Sequence, residues 1–321
     1  MAADEGNRRQ PHFVTLVLAA FGALALLAVA LFVAVTVMLV SALNKSGTDS
    51  VSAHKSHGSE KVVAAIRLHG EVTSEMADEI LEMIQDASED KQVGGVLLDV
   101  NSPGGSVVAS QEIYDVVART RQTLPVVAYV REMAASGAYY SVASASKIVA
   151  NRGSMVGSIG VILSSVETAE LLKWAKIKPV TLKTGLLKDA GSPTREWTES
   201  DKQYMQQLID DTRKQFVNDV VATRKITPET VAHMADGRVV LGGEAAATHL
   251  VDALGSKEDA LNAVAGLAGI KGKPELIYME RKKPFKLLLR EMLEEDATAK
   301  QLRGLLSKVL MSSEMTSIKA R

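Results

Sequence analysis

Beyond residue 60 the chain alternates between short β-rich runs and amphipathic stretches. Val62 to Leu68 reads as a strand, and Ser74 to Ser88 as a helix with Met76, Ile80, Met83 and Ile84 on one side. Gly95 to Val100 is a mainly apolar run, interrupted by Asp99, of the kind that fills a buried strand. Asn101-Ser102-Pro103-Gly104-Gly105 then predicts a sharp break, followed by a helix through Ile113, Val116 and Val117, a strand over Pro125 to Val130, and a small-residue helix opening near Ser136. Lys147–Ala150 and Gly160–Leu163 have the character of short strands. Asp201–Arg224 is a long helix with Met205, Leu208, Ile209, Phe216 and Val220 at helical spacing. Regular strand–helix alternation predicts an α/β domain with a mainly parallel sheet and flanking helices, here a single domain over residues 61–270. No internal repeat is visible.

The N-terminal pattern is different in kind. No charged residue occurs from Phe13 through Asn44, and the stretch is dominated by Leu, Ala, Val and Phe. About 20 apolar residues suffice to span a bilayer, so a short tail (1–12) is expected to lead into a transmembrane anchor (13–43). The alternative is a secretory signal removed after Val40-Ser41-Ala42, but signal cores run only about 7–15 residues. Arg8 and Arg9 precede the span while Lys45, Lys55 and Lys61 follow it, so charge does not fix the orientation. Residues 44–60, NKSGTDSVSAHKSHGSE, read as a flexible linker, and His54 and His57 within it have no preset geometry for a metal. A C-terminal tail (271–321) carries the basic cluster Arg281-Lys282-Lys283 and, further on, Leu302, Leu305, Leu306 and Val309 on one helical face.

Composition narrows the chemistry. The 37 basic and 38 acidic side chains of this 321-residue chain cancel, so no global field draws it to nucleic acid. The absence of cysteine excludes thiol nucleophiles, disulfides and cysteine–zinc sites together.

Two glycine-rich turns fall at predicted strand ends, where ligands gather in open α/β sheets. In the first, Asn101 to Ser106, paired glycines let the backbone approach a ligand closely. In the second, Met133-Ala134-Ala135-Ser136-Gly137-Ala138, a serine sits at a strand-to-helix corner, as a nucleophile held on a rigid turn would. It is equally placed to be an ordinary helix N-cap. A serine hydroxyl needs a neighbouring base. Of six histidines, His12 borders the apolar span and His54 and His57 lie in the linker, while His69, His233 and His249 occupy ordinary strand or helical patterns. Lysine can substitute if an apolar pocket leaves its amine neutral. The stretch Leu182 to Pro193 offers two candidates, Lys183 and Lys188, between which composition does not choose.

Five ordered blocks together resemble the signal peptide peptidase A family of serine–lysine peptidases, related in fold to the Clp protease and crotonase superfamily. They are Asn101-Ser102-Pro103-Gly104-Gly105, MAASGAYY from Met133 to Tyr140, Gly157-Ser158-Ile159-Gly160-Val161, the Lys183–Pro193 block, and Asp236-Gly237-Arg238-Val239 followed by His249-Leu250-Val251-Asp252. The resemblance covers about Val62 to Val264. It implies a Clp protease/crotonase-like domain with Ser136 as nucleophile, Lys188 as general base and Ser158 orienting the lysine. It also implies an oxyanion hole of backbone amides, placed at Gly105 and Gly137 with Gly104 as the alternative to Gly105. The chain departs from the family at Ala138, where a second glycine is usual, and at Leu186-Leu187, which replace a more polar or aromatic approach and are expected to help desolvate Lys188.

By the same resemblance, a serine endopeptidase is expected to degrade remnant signal peptides or other apolar membrane-derived peptides. It would face the extracytoplasmic side and form a ring-shaped homo-oligomer whose sites are shared between subunits. No metal or organic cofactor is implied. The rival readings are a crotonase-like acyl-thioester enzyme and a non-catalytic membrane scaffold of the same fold.

Overall fold

The computed structural model describes residues 61–224 and 226–280. The expected anchor and linker, and the basic and helical parts of the tail, lie outside the described residues. Among the described residues no helix is long and apolar enough to cross a membrane.

The first half is a run of parallel β–α units. Strand β1 (Val62–Val72) leads to helix α1 (Ser74–Glu89), β2 (Val93–Gly105), α2 (Val107–Thr120), β3 (Val126–Ala135) and α3 (Gly137–Ala143). Short strands β4 (Lys147–Ala150) and β5 (Met155–Gly157) follow, then α4 (Ala169–Trp174), the long α5 (Glu199–Arg224) and α6 (Pro228–Met234). The chain ends in β6 (Val239–Leu241), α7 (Gly242–Ala247), β7 (Ala253–Leu254), α8 (Lys257–Ala268) and β8 (Glu275–Tyr278). The sheet has eight strands in the order β6-β5-β3-β2-β1-β8, with β4 paired to both β3 and β7. Every ladder is parallel except β5–β6.

The helices start where side chains can satisfy their first free amides. Thr73 accepts from the Met76 amide and Ser106 from the Ala109 amide, while Ser256 and Asp259 form a reciprocal capping box on α8. Helix α1 buries Ala77, Ile80, Met83, Ile84 and Ala87; of the predicted stripe, Met76 is only half-buried. On one sheet face, α8 packs Ala260 and Val264 against Val63, Leu97, Val127, Tyr129 and Val149. The crossover helices α1, α2 and α3 pack on one another and on the same strands.

Two expectations require correction. The Asn101–Gly105 stretch does not break the chain away from the sheet, because β2 continues through it. Ser102 pairs with Ala134, and Gly104 and Gly105 pair with Glu71 and Val72, after register shifts in both ladders. The local turn chemistry is overridden by pairing on both sides. Gly160–Leu163 forms no strand; the short strand lies earlier, at Met155–Gly157, against the end of β3. At Ser158 φ is 51° and the chain leaves the sheet, with Ile162 and Leu163 exposed.

An edge strand also appears where the pattern gave no signal. β8 pairs in parallel with β1, and its Tyr278 hydroxyl donates to the fully buried Asp99 at 2.9 Å. Arg131 grips the same carboxylate with two bonds of 2.5 and 2.8 Å, and the Lys257 amine stands 3.5 Å away.

Candidate active site

Ser136 lies between the end of β3 and the first residue of α3. Its backbone has φ 51° and ψ −124°, a region that a residue with a side chain occupies only when its surroundings over-determine it. The determinants are visible: its amide donates to the Gly157 carbonyl at 2.8 Å, and its carbonyl accepts from Tyr140 at 3.0 Å. Although it stands at the N-cap position, its side chain caps nothing. That answers the ordinary N-cap reading, since the hydroxyl of a capping serine is bonded to its helix and this one is not.

The glycines of the first turn press against this corner. A methyl group on Gly104, whose φ is +99°, would lie 2.7 Å from the Ala135 carbonyl and from the Gly137 amide, and 2.9 Å from Ser136 Cβ. One on Gly137 would lie 2.4 Å from Ser110 Oγ and 3.2 Å from the Gly105 amide. Only hydrogen side chains allow this approach of two backbones. The Gly104 amide donates to Ser102 Oγ at 3.1 Å and is therefore engaged.

A small cleft opens at the corner, lined by Gly105, Ser136 and Gly137 and walled by Val107, Tyr140, Val161 and Phe216. Tyr140 and Phe216 stack with ring centroids 4.4 Å apart, joining α3 to α5. Beneath them, the Tyr140 hydroxyl bonds to Asp219, and Gln111 bridges Tyr140 and Gln215. Burial first, and then the hydrogen bond to the Asp219 carboxylate, push the Tyr140 hydroxyl well above the usual phenol range, so it stays protonated.

The candidate residues thus fall into two groups. Ser136, Gly105 and Gly137 share the cleft, and Ser158 follows Gly157, which is bonded directly to Ser136. Ser158 has the same positive φ of 51°, and its amide donates to the Arg238 carbonyl at 2.8 Å. Lys188 is elsewhere: it lies in a 3₁₀ turn, Leu186–Asp189, and is exposed. Its amine has no hydrogen-bond or ion-pair partner among the described residues. Leu186 and Leu187, expected to keep it dry, are exposed as well. Among the described residues of one chain, no desolvated pocket forms around Lys188.

Lys183 is occupied. Its amine donates to Asp189 Oδ1 at 2.6 Å and to the Leu186 carbonyl at 3.0 Å. Asp189 is also gripped by Arg195, which reaches on to Asp201 at the start of α5. Sequence reasoning missed Arg195 and Asp201. Nothing in their local pattern distinguishes them from surface charges, and only their spacing of six residues to either side, Asp189-Arg195-Asp201, hints at a shared contact. Of the histidines, His233 and His249 are exposed. His69 lies 3.6 Å from Asp99 on β1, and none of the three lines the cleft.

Comparison with known proteins identifies the class. The Clp protease family profile matches residues 59–162, the part that carries strands β1 to β5 and the Ser136 corner. The profile described as Peptidase family S49 matches residues 118–271, from the end of α2 through α8. "Putative protease slr0021" of Synechocystis sp. is 37% identical over 225 residues, covering 70% of this chain and 81% of that protein. "Putative protease MJ0651" of Methanocaldococcus jannaschii is 40% identical over 197 residues, 61% of this chain and 63% of that protein. "Putative signal peptide peptidase SppA" of Enterococcus faecium is 37% identical over 185 residues, 57% of this chain and 54% of that protein. The chain belongs to peptidase family S49, a family of serine proteases.

Proposed function

We propose that this chain is a membrane-anchored serine endopeptidase in which Ser136 is the nucleophile and Lys188 the general base, and that a site is completed between two copies. The observation that carries the reading is Ser136 itself: a strained corner holding an uncapped hydroxyl beside glycine amides in an apolar cleft. Lys188 is preferred to Lys183 because the Lys183 amine is already engaged by the Asp189 carboxylate and the Leu186 carbonyl.

In the proposed reaction the neutral Lys188 amine takes the Ser136 proton, with the Ser158 hydroxyl orienting that amine. Serine Oγ attacks the peptide carbonyl, and the Gly105 and Gly137 amides receive the oxyanion. Gly105 is preferred to Gly104, whose amide is already engaged. The lysine returns its proton to the leaving amine, releasing the C-terminal fragment. Water, deprotonated by the same lysine, then cleaves the acyl-serine ester. Amide donors of this kind supply about 3–4 kcal/mol each to the transition state.

An amine standing in water is a cation at neutral pH and serves poorly as a base. The exposure of Lys188 in one chain therefore supports an assembly in which a second copy covers it and brings it to a Ser136. The apolar cleft walls favour uncharged apolar side chains in the substrate. Together with the apolar segment at 13–43 and the name of the Enterococcus relative, they support cleaved signal peptides or similar membrane-derived peptides as substrates; a catalytic domain on the extracytoplasmic side rests on the family resemblance.

The test is hydrolysis of a fluorogenic apolar peptide by the full chain. Ser136→Ala and Lys188→Ala should each lose at least about a thousandfold in kcat while keeping the oligomer size. A fluorophosphonate should label the parent protein at Ser136 and leave the Ser136→Ala protein unlabelled. Turnover retained by Lys188→Ala would refute the base assignment.

A further inference from the structure

The segment that carries Lys188 is held by a network to which the reaction as proposed assigns no role. Arg195 is its hub. Its Nε donates to Asp189 Oδ2 at 3.0 Å, and Nη2 donates to Asp189 Oδ1 at 2.8 Å and to the Asp189 carbonyl at 3.1 Å. The same guanidinium reaches Asp201, Nη1 to Oδ2 at 2.6 Å and Nη2 to Oδ1 at 3.0 Å. Asp201 is almost wholly buried and also accepts from the Thr198 amide and hydroxyl, each at 2.8 Å. The 3₁₀ turn is therefore tied, through the residue after Lys188, to the first turn of α5, the helix whose Phe216 stacks on Tyr140 behind Ser136.

We propose that Arg195 is a positioning residue for the base: its guanidinium fixes the Leu186–Asp189 turn on α5 and saturates the Asp189 carboxylate, so that this carboxylate cannot pair with the adjacent Lys188 amine. The inference rests on the proposed role of Lys188. A carboxylate beside an amine favours the charged ammonium, the state in which a lysine cannot accept a proton. Two cations, Lys183 and Arg195, face two carboxylates, Asp189 and Asp201, and the cluster sums to zero. On the first turn of α5, Glu199 and Lys202 pair with each other at 2.9 Å. Bonds from Arg195, joined by Lys183, hold the Asp189 carboxyl far below the usual range, and Arg195 with Thr198 does the same for Asp201. Both stay ionised at any working pH, and the neutrality of the cluster depends on Arg195 remaining in place.

The experiment measures kcat and KM against pH for the full chain and an apolar fluorogenic peptide. Arg195→Gln should lower kcat at neutral pH by about tenfold to a hundredfold with little change in KM. Its acidic limb should move to higher pH by roughly half to one unit, the effect of one uncompensated charge a few ångströms away. Adding Asp189→Asn to that variant should return the limb towards its original position, and Arg195→Lys should leave it there. A limb unmoved in Arg195→Gln overturns the inference. If Arg195→Gln does not fold, Asp189→Asn alone should move the limb to lower pH, and an unmoved limb there overturns it equally. Lys188→Ala run in parallel separates the two failures. Activity retained in that variant removes the base assignment and this inference with it, whereas loss of activity combined with an unmoved Arg195→Gln limb removes this inference alone.

Discussion

At residue scale the corner is a matter of space. Gly105 has the Val72 carbonyl 2.2 Å from where a Cβ would stand, and Gly137 has Ser110 Oγ at 2.4 Å. Gly105 is fixed by the sheet and Gly137 by α2, so the two amides are aimed by separate elements. A methyl group at Gly105 meets backbone, which cannot rotate away. Gly105→Ala should therefore separate the ends of β1 and β2 at a cost on the order of 2 kcal/mol, lowering Tm by about 4–8 °C. It should also abolish peptide hydrolysis well below that temperature. Calorimetry with activity measured at 25 °C checks both, and a variant with normal Tm and normal turnover would contradict the crowding argument. A methyl group at Gly137 meets the Ser110 hydroxyl most closely, which can turn aside, and the Gly105 amide only at 3.2 Å. Gly137→Ala should cost less stability than Gly105→Ala while still impairing turnover.

The elements are where reading the sequence succeeds and fails for identifiable reasons. Strands β1 and β4 and helices α1, α2 and α5 announce themselves by local periodicity, and they form within a few residues of where the pattern puts them. The extension of β2 past Val100 and the edge strand β8 do not, because each exists through partners distant in sequence. β8 is tethered by Tyr278 to Asp99, 179 residues earlier. Burial alone would push the Asp99 carboxyl up. Bonds from Arg131 and Tyr278, with the charges of Arg131 and Lys257, outweigh burial and bring it down to about 2. In an unfolded chain the same carboxyl titrates near 3.9. A folded value below the unfolded one means that its stabilisation is fully present above about pH 4. It is lost as pH falls from there to about 2, a loss on the order of 2 kcal/mol. Urea unfolding at pH 5, 4 and 3 should show this decline, and Asp99→Asn should flatten it by removing one linked proton. An identical slope in that variant would show that Asp99 is not linked to folding. The Ser136 corner was legible in the sequence because a glycine-rich turn at a strand end is a local signal. Arg195 was not, because its two carboxylate partners, Asp189 and Asp201, are brought to it by the fold.

At the scale of the whole molecule the distribution of apolar surface decides the argument. Single exposed apolar side chains are ordinary on a folded protein, but a cluster marks an interface. Ten of the seventeen large exposed apolar side chains among the described residues lie between Ile162 and Leu187, with Leu182 at 95% exposure and Trp174 at 82%. This is also the stretch that ends at Lys188, the catalytic candidate absent from its own chain's cleft. If a second copy covers the arm and the lysine it carries completes a neighbour's site, two inactive proteins should repair one another. In a co-assembled, equal mixture of Ser136→Ala and Lys188→Ala subunits, a site is intact when its serine comes from the lysine variant and its lysine from the serine variant. Random pairing makes about one quarter of the sites whole. Each variant alone should remain inactive, and activity of about that fraction should appear only after co-expression, not on mixing preformed oligomers that do not exchange. Leu182→Glu, which puts a charge into the covered arm, should dissociate the assembly in light scattering and remove activity without changing the fold by circular dichroism. A mixed oligomer, verified by differently tagged subunits and still inactive, would place both residues of a working site in one chain. The lysine-bearing turn would then have to move onto its own Ser136 before catalysis.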